Sequence, residues 1–185
     1  MKFLRPFYLL GALVMAVAAY ALVMDLRNNF YAVIPNEFYR SGQISAGDVA
    51  FYKEKYGIRS IINLRGENTG SKWYDTEINE AKAAGVTHID YRMSSKHILP
   101  REESLRLIAL MRDAPKPVLV HCNGGANRTS LASALYLAAV KKTDEKTAES
   151  QLSIRYGNLP RWMGSRSRMS ESFEQLEDML GYHGS

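Results

Sequence analysis

Short apolar runs alternate with amphipathic stretches along most of the chain. Runs of about 4–8 residues rich in β-branched or aromatic side chains are typical of strands, and apolar positions three and four residues apart are typical of helices. The predicted strands are 30–34, 37–41, 59–64, 86–92 and 118–121. The predicted helices are 45–56, 74–84, 102–112, 131–140, 143–154 and 170–180.

The order of these elements predicts an α/β fold. Strands and helices alternate from the second strand to the fifth, which favours a mostly parallel central sheet flanked by helices on both faces. In such a sheet the functional site lies at the carboxyl ends of the strands. Ser45 and Asp48 resemble a capping box at the start of the first helix, Gly57 is predicted to end that helix, and Thr143 to cap a later one.

The most apolar stretch of the chain is 7–24, which contains no charged residue and follows Lys2 and Arg5. As a helix, this stretch would reach roughly 27 Å, just enough to cross the hydrocarbon core of a bilayer. A signal peptide is the alternative, because Ala19-Tyr20-Ala21 resembles a processing site. The apolar run continues beyond that site to Met24, which favours an uncleaved, hydrophobic membrane-anchoring helix.

The charges on either side of this apolar run predict its orientation. Positive charges precede it, whereas only Asp25 and Arg27 follow it closely. By the positive-inside rule the N-terminus stays in the cytoplasm and the rest of the chain is exported. We therefore predict two parts: residues 1–24 as a membrane anchor or signal peptide, and residues 25–185 as an extracytoplasmic domain, periplasmic if the protein is bacterial.

The chain of 185 residues carries a net charge of +5, which favours anionic partners such as phosphorylated substrates or an anionic membrane surface. The segment 155–168 has four arginines and no acidic residue, and is either a solvated basic loop or a contact surface for an anionic ligand. We find no nucleic-acid-binding motif. A single cysteine excludes an intramolecular disulfide and a multi-cysteine metal site, and no other ligand cluster in the sequence suggests a metal.

The single cysteine begins the segment on which the functional prediction depends. The strand-like run 118–121 leads into His121-Cys122-Asn123-Gly124-Gly125-Ala126-Asn127-Arg128-Thr129-Ser130, and a helix-forming run follows. In a tight loop at a helix N-terminus, backbone N–H groups converge on an anion, and the helix dipole strengthens the site. The same field would hold Cys122 as a thiolate, the nucleophilic form. The alternative is a buried, chemically inert thiol.

This segment resembles the signature H-C-x-x-G-x-x-R-[ST] of the cysteine-dependent protein tyrosine phosphatase superfamily. The upstream segment Phe38-Tyr39-Arg40-Ser41-Gly42-Gln43 and the overall size resemble the compact dual-specificity-like branch, including its bacterial members. The resemblance extends from about residue 29 to residue 181, and the loop is its most specific part. It implies a protein tyrosine phosphatase-like fold and hydrolysis of phosphomonoesters without a metal or cofactor.

The resemblance also implies a role for each residue of the loop. Cys122 would attack phosphorus, and Arg128 would bind two equatorial phosphoryl oxygens. Thr129 would stabilise the departing thiolate, and His121 would tune the cysteine from the preceding strand. The predicted phosphate-binding residues are Asn123, Gly124, Gly125, Ala126, Asn127, Arg128 and Thr129.

The sequence leaves several candidates for the group that protonates the leaving oxygen. Members of the superfamily usually supply an Asp from a loop after the strand that precedes the signature strand, but residues 94–103 contain no Asp. Some relatives carry an acid inside the signature loop just before the arginine, where this chain has Asn127. Asp90 is the leading candidate, because its distance along the chain from Cys122 is similar to the family's spacing. The other candidates are His97, Glu102 and Glu103.

The sequence thus favours a phosphatase that acts on a phosphorylated protein, lipid or sugar. The missing loop Asp keeps a second hypothesis open, a membrane-tethered phosphate-binding module without turnover. A third, sulfur transfer at a rhodanese-like cysteine loop, is disfavoured by the threonine after Arg128 and by the segment 38–43. No nucleic acid partner is expected, and the sequence makes no prediction about the oligomeric state.

Overall fold

The computed structural model describes residues 28–158 and 168–183, together with several helical positions between residues 11 and 20. The strands are Tyr31–Ile34 (β1), Phe38–Ser41 (β2), Ser60–Asn63 (β3), Thr87–Asp90 (β4) and Val118–His121 (β5). They form one sheet in the order β1-β2-β5-β3-β4. The β1–β2 pair is antiparallel, and the other pairs are parallel. The α/β fold with a mostly parallel sheet, predicted from the order of the elements, is confirmed.

Helices connect the parallel strands and cover the sheet. The helices are Asp48–Tyr56 (α1), Lys72–Ala84 (α2), Arg101–Asp113 (α3), Asn127–Leu135 (α4), Glu145–Glu149 (α5), Arg168–Glu174 (α6) and Glu177–Leu180 (α7). A π-helical turn, Tyr136–Val140, extends α4, and a 3-10 turn, Ile154–Tyr156, follows α5. As predicted, α1 ends at Gly57, which adopts the left-handed conformation that glycine tolerates at a helix end.

The sheet separates two apolar cores, because successive residues of a strand point to opposite faces. On one face Ile62 and Val120 belong to a core that α3, α4 and α6 complete. On the other face Ile61 and Leu119 pack with residues of α1 and α2. The carboxyl ends of the parallel strands are level, and their in-register last residues are Ser41, Asn63, Asp90 and His121.

Two predicted helix starts differ from the structure. At α1 the residue before the helix is Gly47, and the Ser45 side chain makes no capping bond; instead Ser45 N donates to Asp48 Oδ2 (2.6 Å). Thr143 does not cap the later helix either. Asp144 does so by accepting a hydrogen bond from Thr147 N (2.9 Å), because a carboxylate reaches the free N–H groups and also complements the helix dipole.

The two C-terminal helices are also shorter than predicted. The helix predicted for 143–154 is confined to α5, and the chain then turns into the 3-10 segment before Gly157, whose φ is +81°. The helix predicted for 170–180 is divided into α6 and α7. Hydrophobic periodicity alone does not locate such interruptions, because the apolar face continues across them.

Most of the predicted membrane anchor or signal peptide, residues 1–24, lies outside the described residues. The described positions between residues 11 and 20 are helical, and the side chains of Val14, Met15 and Val17 are exposed. Among the described residues, no helix combines the length and the apolar character needed to span a membrane. Positions 159–167 of the basic segment 155–168 likewise lie outside the described part of the chain.

Candidate active site

The loop that follows β5 packs closely against the end of β2. Gly125 has a φ of +67°, and a Cβ atom there would lie 2.7 Å from Gly42 N and 2.8 Å from the Ser41 carbonyl carbon. A Cβ on Gly42 would in turn lie 3.2 Å from the Asn123 carbonyl oxygen. Gly125 is therefore required by the close approach of the loop to β2 and by its left-handed backbone, and a Cβ on Gly42 would fit tightly.

The carbonyl oxygens of consecutive loop residues are each held by a donor behind the loop. The pairs are Gln43 N with Asn123 O (2.8 Å), Asn29 Nδ2 with Gly124 O (3.0 Å) and Arg40 Nη2 with Gly125 O (2.7 Å). These supports come from β2 and its flanking residues. No local sequence pattern indicates these roles of Asn29, Arg40 and Gln43, although the last two lie in the segment that carries the family resemblance.

This arrangement directs the N–H groups of the loop away from β2. In a trans peptide unit the C=O and N–H bonds point in opposite directions, so the N–H groups of Gly124, Gly125 and Ala126 face away from the supporting donors. In the described part of the chain these N–H groups have no hydrogen-bond acceptor. Together with the N-terminus of α4, which begins at Asn127, they form a candidate cradle for an anion; that this cradle binds phosphate remains a prediction.

Arg40 is the main support of the cradle and is fully buried. Its guanidinium donates to Gly125 O, to Ser130 Oγ (2.7 Å) and to Gln151, and it lies over the ring of Tyr156, 3.8 Å from the centroid. Burial lowers the pKa of Arg40 to about 10, so the group is still a cation at neutral pH. A buried cation that binds a loop carbonyl fixes the loop conformation before any ligand arrives.

Cys122 and Arg128 lie at opposite ends of the cradle. Cys122 is 3% exposed. Arg128 Nη1 donates to the backbone oxygens of Leu64 (3.3 Å) and Met93 (3.4 Å), and in the described part of the chain no carboxylate pairs with it. Most of its donors thus remain available for a phosphoryl group. The Thr129 hydroxyl is buried and donates to the Ser41 carbonyl (3.4 Å).

A buried carboxylate lies on the other face of the sheet, behind the cysteine. Glu77 Oε1 is 2.8 Å from Nε2 of both His121 and His88, and its Oε2 accepts a hydrogen bond from Gln43 Nε2 (2.7 Å). Burial raises the pKa of Glu77, but the hydrogen bonds from the two histidines outweigh it and lower the pKa to about 2. Because an ionised carboxylate only accepts, each histidine Nε2 carries the proton and donates.

The same three side chains are the best candidates for metal ligands in the described part of the chain. One ligand atom from each of Glu77, His88 and His121 lies within 4.8 Å of the others. This cluster could not be predicted from sequence spacing, since its members come from α2, β4 and β5. The distances of 2.8 Å from Glu77 Oε1 to each histidine Nε2 are hydrogen-bond distances, and the Nε2 protons occupy the positions a metal would need. The network is accounted for by hydrogen bonding.

The structure does not bring Asp90 to the cysteine. Its carboxylate accepts hydrogen bonds from Asn63 Nδ2 (2.8 Å) and Tyr74 OH (2.5 Å). Asp90 is in register with Asn63, and Asn63 with His121, so the three side chains share the face that carries Glu77. Cys122 packs in the core of the opposite face. The role of Asp90 as the acid remains a prediction.

The other candidate acids lie after Met93, whose carbonyl oxygen contacts Arg128. His97 is exposed in the loop between β4 and α3. Glu102 is exposed and Glu103 half-buried in the first turn of α3. Of these three, only His97 belongs to the connection that starts beside the arginine.

Comparison with known proteins agrees with this geometry. A family model described as "DSP-PTPase phosphatase fused to NAD+ Kinase" matches residues 15–172. No curated protein shows significant sequence similarity to the chain.

Solved structures share the fold at low sequence identity. TpbA from P. aeruginosa, solved in complex with pTyr, is 20% identical, with 85% of this chain and 92% of that one covered and a TM-score of 0.61. The core catalytic domain of the PP-IP phosphatase SIW14 from S. cerevisiae, in complex with citrate, is 19% identical, with coverages of 84% and 94% and a TM-score of 0.57. PTPMT1 is 14% identical, with coverages of 82% and 96% and a TM-score of 0.62.

The family model covers most of the chain, and the similar structures share its fold. The chain therefore belongs to the cysteine-dependent, protein tyrosine phosphatase-like dual-specificity (DSP-PTPase) phosphatase family.

Proposed function

We propose that the protein hydrolyses phosphomonoesters of a phosphorylated protein, lipid or sugar through a phosphocysteine intermediate on Cys122. The observation that carries this proposal is the orientation of the loop. Its carbonyl oxygens are bound from behind, so its N–H groups converge beside the only cysteine of the chain. Arg128, with no carboxylate partner among the described residues, supplies the positive charge that a phosphoryl group requires.

The residues of the cradle divide the reaction into two displacements. The Cys122 thiolate attacks phosphorus and forms an S–P bond while the bond from phosphorus to the leaving oxygen breaks. Water then attacks phosphorus, the S–P bond breaks, and inorganic phosphate and the thiolate are released. Arg128 and the N–H groups stabilise the charge on the equatorial oxygens in both steps.

The leaving oxygen gains a proton in the first displacement. Asp90 is the candidate that the spacing of the sequence favours, and His97 is the candidate in the loop beside Arg128. Glu102 and Glu103 complete the set of candidates. A leaving group of low pKa departs without this proton, so aryl and pyrophosphate-type oxygens are the substrates that this site handles best.

Hydrolysis of p-nitrophenyl phosphate tests the proposal. We expect phosphate release to persist in the presence of a chelator and to fall by at least about 10³-fold in Cys122→Ser, which removes the nucleophile with a minimal change of shape. Activity that a chelator abolishes, or that survives in Cys122→Ser, would contradict it.

A non-catalytic phosphate-binding module is the second candidate, and one observation favours it. The carboxylate of Asp90 is bound by Asn63 and Tyr74, whereas the cradle is complete without it. This alternative predicts that the wild-type protein binds phosphorylated ligands but releases no phosphate from p-nitrophenyl phosphate, even when the reaction is followed for a single turnover.

We further propose that residues 25–185 act outside the cytoplasm, tethered or exported through residues 1–24. The charge step before residue 7 and the exposed apolar side chains of Val14, Met15 and Val17 support this proposal. Fractionation of cells that express the full chain should place it in the membrane or exported fraction. Recovery from the cytoplasm would contradict the proposal, and N-terminal sequencing would show whether residues 1–24 are removed.

A further inference from the structure

Arg65 is a second cation beside the cradle, and the proposed hydrolysis does not use it. It follows Leu64, whose N–H donates to the His121 carbonyl (2.9 Å) and whose own carbonyl oxygen accepts a hydrogen bond from Arg128 (3.3 Å). Arg65 therefore lies just after the carboxyl end of β3, and its neighbour in the chain, Leu64, contacts Arg128 of the cradle.

The guanidinium of Arg65 is held from two sides. It lies over the ring of Trp73, 3.4 Å from the centroid, and Nη1 donates to Gln43 Oε1 (2.6 Å). Gln43 is itself fixed, because its Nε2 donates to Glu77 and its backbone N–H holds the loop. A long side chain ordered in this way has lost rotamer freedom before a ligand binds, so a contact with a ligand costs less entropy.

No ion pair explains this position. In the part of the chain that the structure describes, no carboxylate lies within ion-pair distance of Arg65, and its Nε and Nη2 have no acceptor. Burial, and then the charge of Arg128, lower the pKa of Arg65. Glu77 attracts Arg65, but the amide of Gln43 lies between them. Two neighbouring guanidinium groups without a direct counter-charge favour a ligand that carries more than one negative group.

Building on the proposed function, we infer that Arg65 determines specificity by binding a second phosphate group of the substrate while the scissile phosphoryl group occupies the cradle. The substrate class is a compact bisphosphate, either free in solution or as a lipid headgroup. Phosphate suits this position because a planar guanidinium with free N–H groups binds two of its oxygens at once.

The test compares Arg65→Gln with Arg59→Gln. Arg59 is exposed and precedes β3 at the opposite end of the strand, so both variants lose one positive charge but only one changes the edge of the cradle. The substrates are an inositol monophosphate, an inositol bisphosphate with neighbouring phosphates, the same bisphosphate headgroup in phospholipid vesicles, and a doubly phosphorylated peptide. p-Nitrophenyl phosphate reports whether the site hydrolyses at all.

In the wild-type protein we expect kcat/KM for the bisphosphate to exceed that for the monophosphate by about tenfold or more, the effect of one charge-assisted contact. Arg65→Gln should lose about tenfold on the bisphosphate and less than about twofold on the monophosphate. Arg59→Gln should lose less than about twofold on both. Arg65→Lys, which keeps the charge, should retain part of the preference. Comparing turnover of the soluble bisphosphate with turnover of the same headgroup in vesicles shows whether the substrate is a free bisphosphate or a lipid.

Equal losses of Arg65→Gln on the two soluble substrates would overturn the inference, because they would mean that Arg65 contacts the scissile phosphoryl group or only supports the fold. Absence of a preference in the wild-type protein, or a stronger preference for a doubly phosphorylated peptide, would overturn it as well. If no substrate, including p-nitrophenyl phosphate, is hydrolysed, the proposed function fails but the inference still predicts bisphosphate binding about tenfold weaker in Arg65→Gln, measured by titration calorimetry.

Discussion

The loop from Cys122 to Arg128 and the connection from Met93 to Pro100 meet at Arg128, but they are held in different ways. Three carbonyl oxygens of the first are bound from behind by Gln43, Asn29 and Arg40. In the described part of the chain, the second is held near its two ends. Met93 N donates to Leu64 O (3.2 Å) and Met93 O accepts from Arg128, while Leu99 N donates to Ser172 Oγ (2.9 Å). The polar residues Ser94, Lys96 and His97 of this connection are exposed.

The difference separates two tasks of a phosphatase. Binding a phosphoryl group and stabilising its charge depend on donors fixed in advance, and the cradle provides them without rearrangement. Protonating a leaving group depends on an acid brought to the substrate, and the connection after β4 contains no carboxylic acid before Glu102. We therefore expect phosphate binding to be strong and catalysis to depend steeply on the leaving group.

The largest effect should come from disturbing the cradle at Gly125. A Cβ there meets the backbone of β2 at less than 3 Å, and the left-handed φ is strained for alanine. We expect Gly125→Ala to lower kcat/KM for p-nitrophenyl phosphate by about 10²-fold or more, since misplaced donors stabilise the transition state poorly, and to destabilise the fold by about 1–3 kcal/mol. Steady-state kinetics and urea unfolding measure the two effects.

Gly124→Ala is the matched control. Its Cβ would meet no atom within 4 Å, and its backbone is not left-handed. Activity and stability should stay within about threefold and 0.5 kcal/mol of the wild-type protein. If the two alanine variants lose activity equally, the close packing of the loop on β2 is not what prepares the cradle.

An effect of intermediate size on kcat/KM is expected when the pKa of the leaving group is raised. Without a positioned carboxylic acid, the wild-type kcat/KM for phenyl phosphate should fall below that for p-nitrophenyl phosphate by about tenfold or more. Because Asn63 and Tyr74 bind the carboxylate of Asp90 on the face away from Cys122, Asp90→Asn should lower both values by the same factor. Parallel assays of His97→Asn test the candidate in the connection after Met93.

A loss confined to phenyl phosphate would identify the substituted residue as the acid, whichever of the two it is. For Asp90 that outcome would mean that β4 and its neighbours rearrange when substrate binds. The contrast between a prepared cradle and a missing acid would then hold only for the ligand-free state.

The same contrast explains how much could be predicted from the sequence. The cradle lies in one continuous segment, so its position in the chain could be predicted from local spacing, whereas the catalytic roles of Cys122 and Arg128 remain predictions. The supports of the cradle come from elsewhere: Asn29 lies 95 residues before Gly124, Arg40 lies 85 residues before Gly125, and Glu77 lies on α2. A buried arginine or glutamate has no signature in composition or periodicity, since the same residues are mostly exposed in proteins.

The strands were predicted well because each is a short apolar run, whereas several helix ends, such as the start of α5, were not. Thr143 and Asp144 are both good capping residues, and only the path of the chain decides between them. The position of the Asp90 side chain could not be predicted from the sequence either. Its sequence spacing from Cys122 is that of an acid, but pairing with Asn63 in β3 turns its side chain to the other face.

The smallest effect on activity should come from Glu77, which supports the cradle only through His121 and Gln43. Its pKa in the folded protein is about 2, below its ordinary value of 4.5, so its charge stabilises the fold above pH 4.5 and this stabilisation is lost as the pH falls towards 2. Urea unfolding of the wild-type protein at a series of pH values should show this loss, of about 3 kcal/mol at most. Glu77→Gln should be less stable at pH 7 and lose less over the same interval, whereas Glu54→Gln, at an exposed position of α1, should follow the wild-type curve. If Glu77→Gln parallels the wild-type protein at every pH, the carboxylate behind the cysteine is not a charged support, and the cradle is held without it by Arg40, Asn29 and the backbone N–H of Gln43.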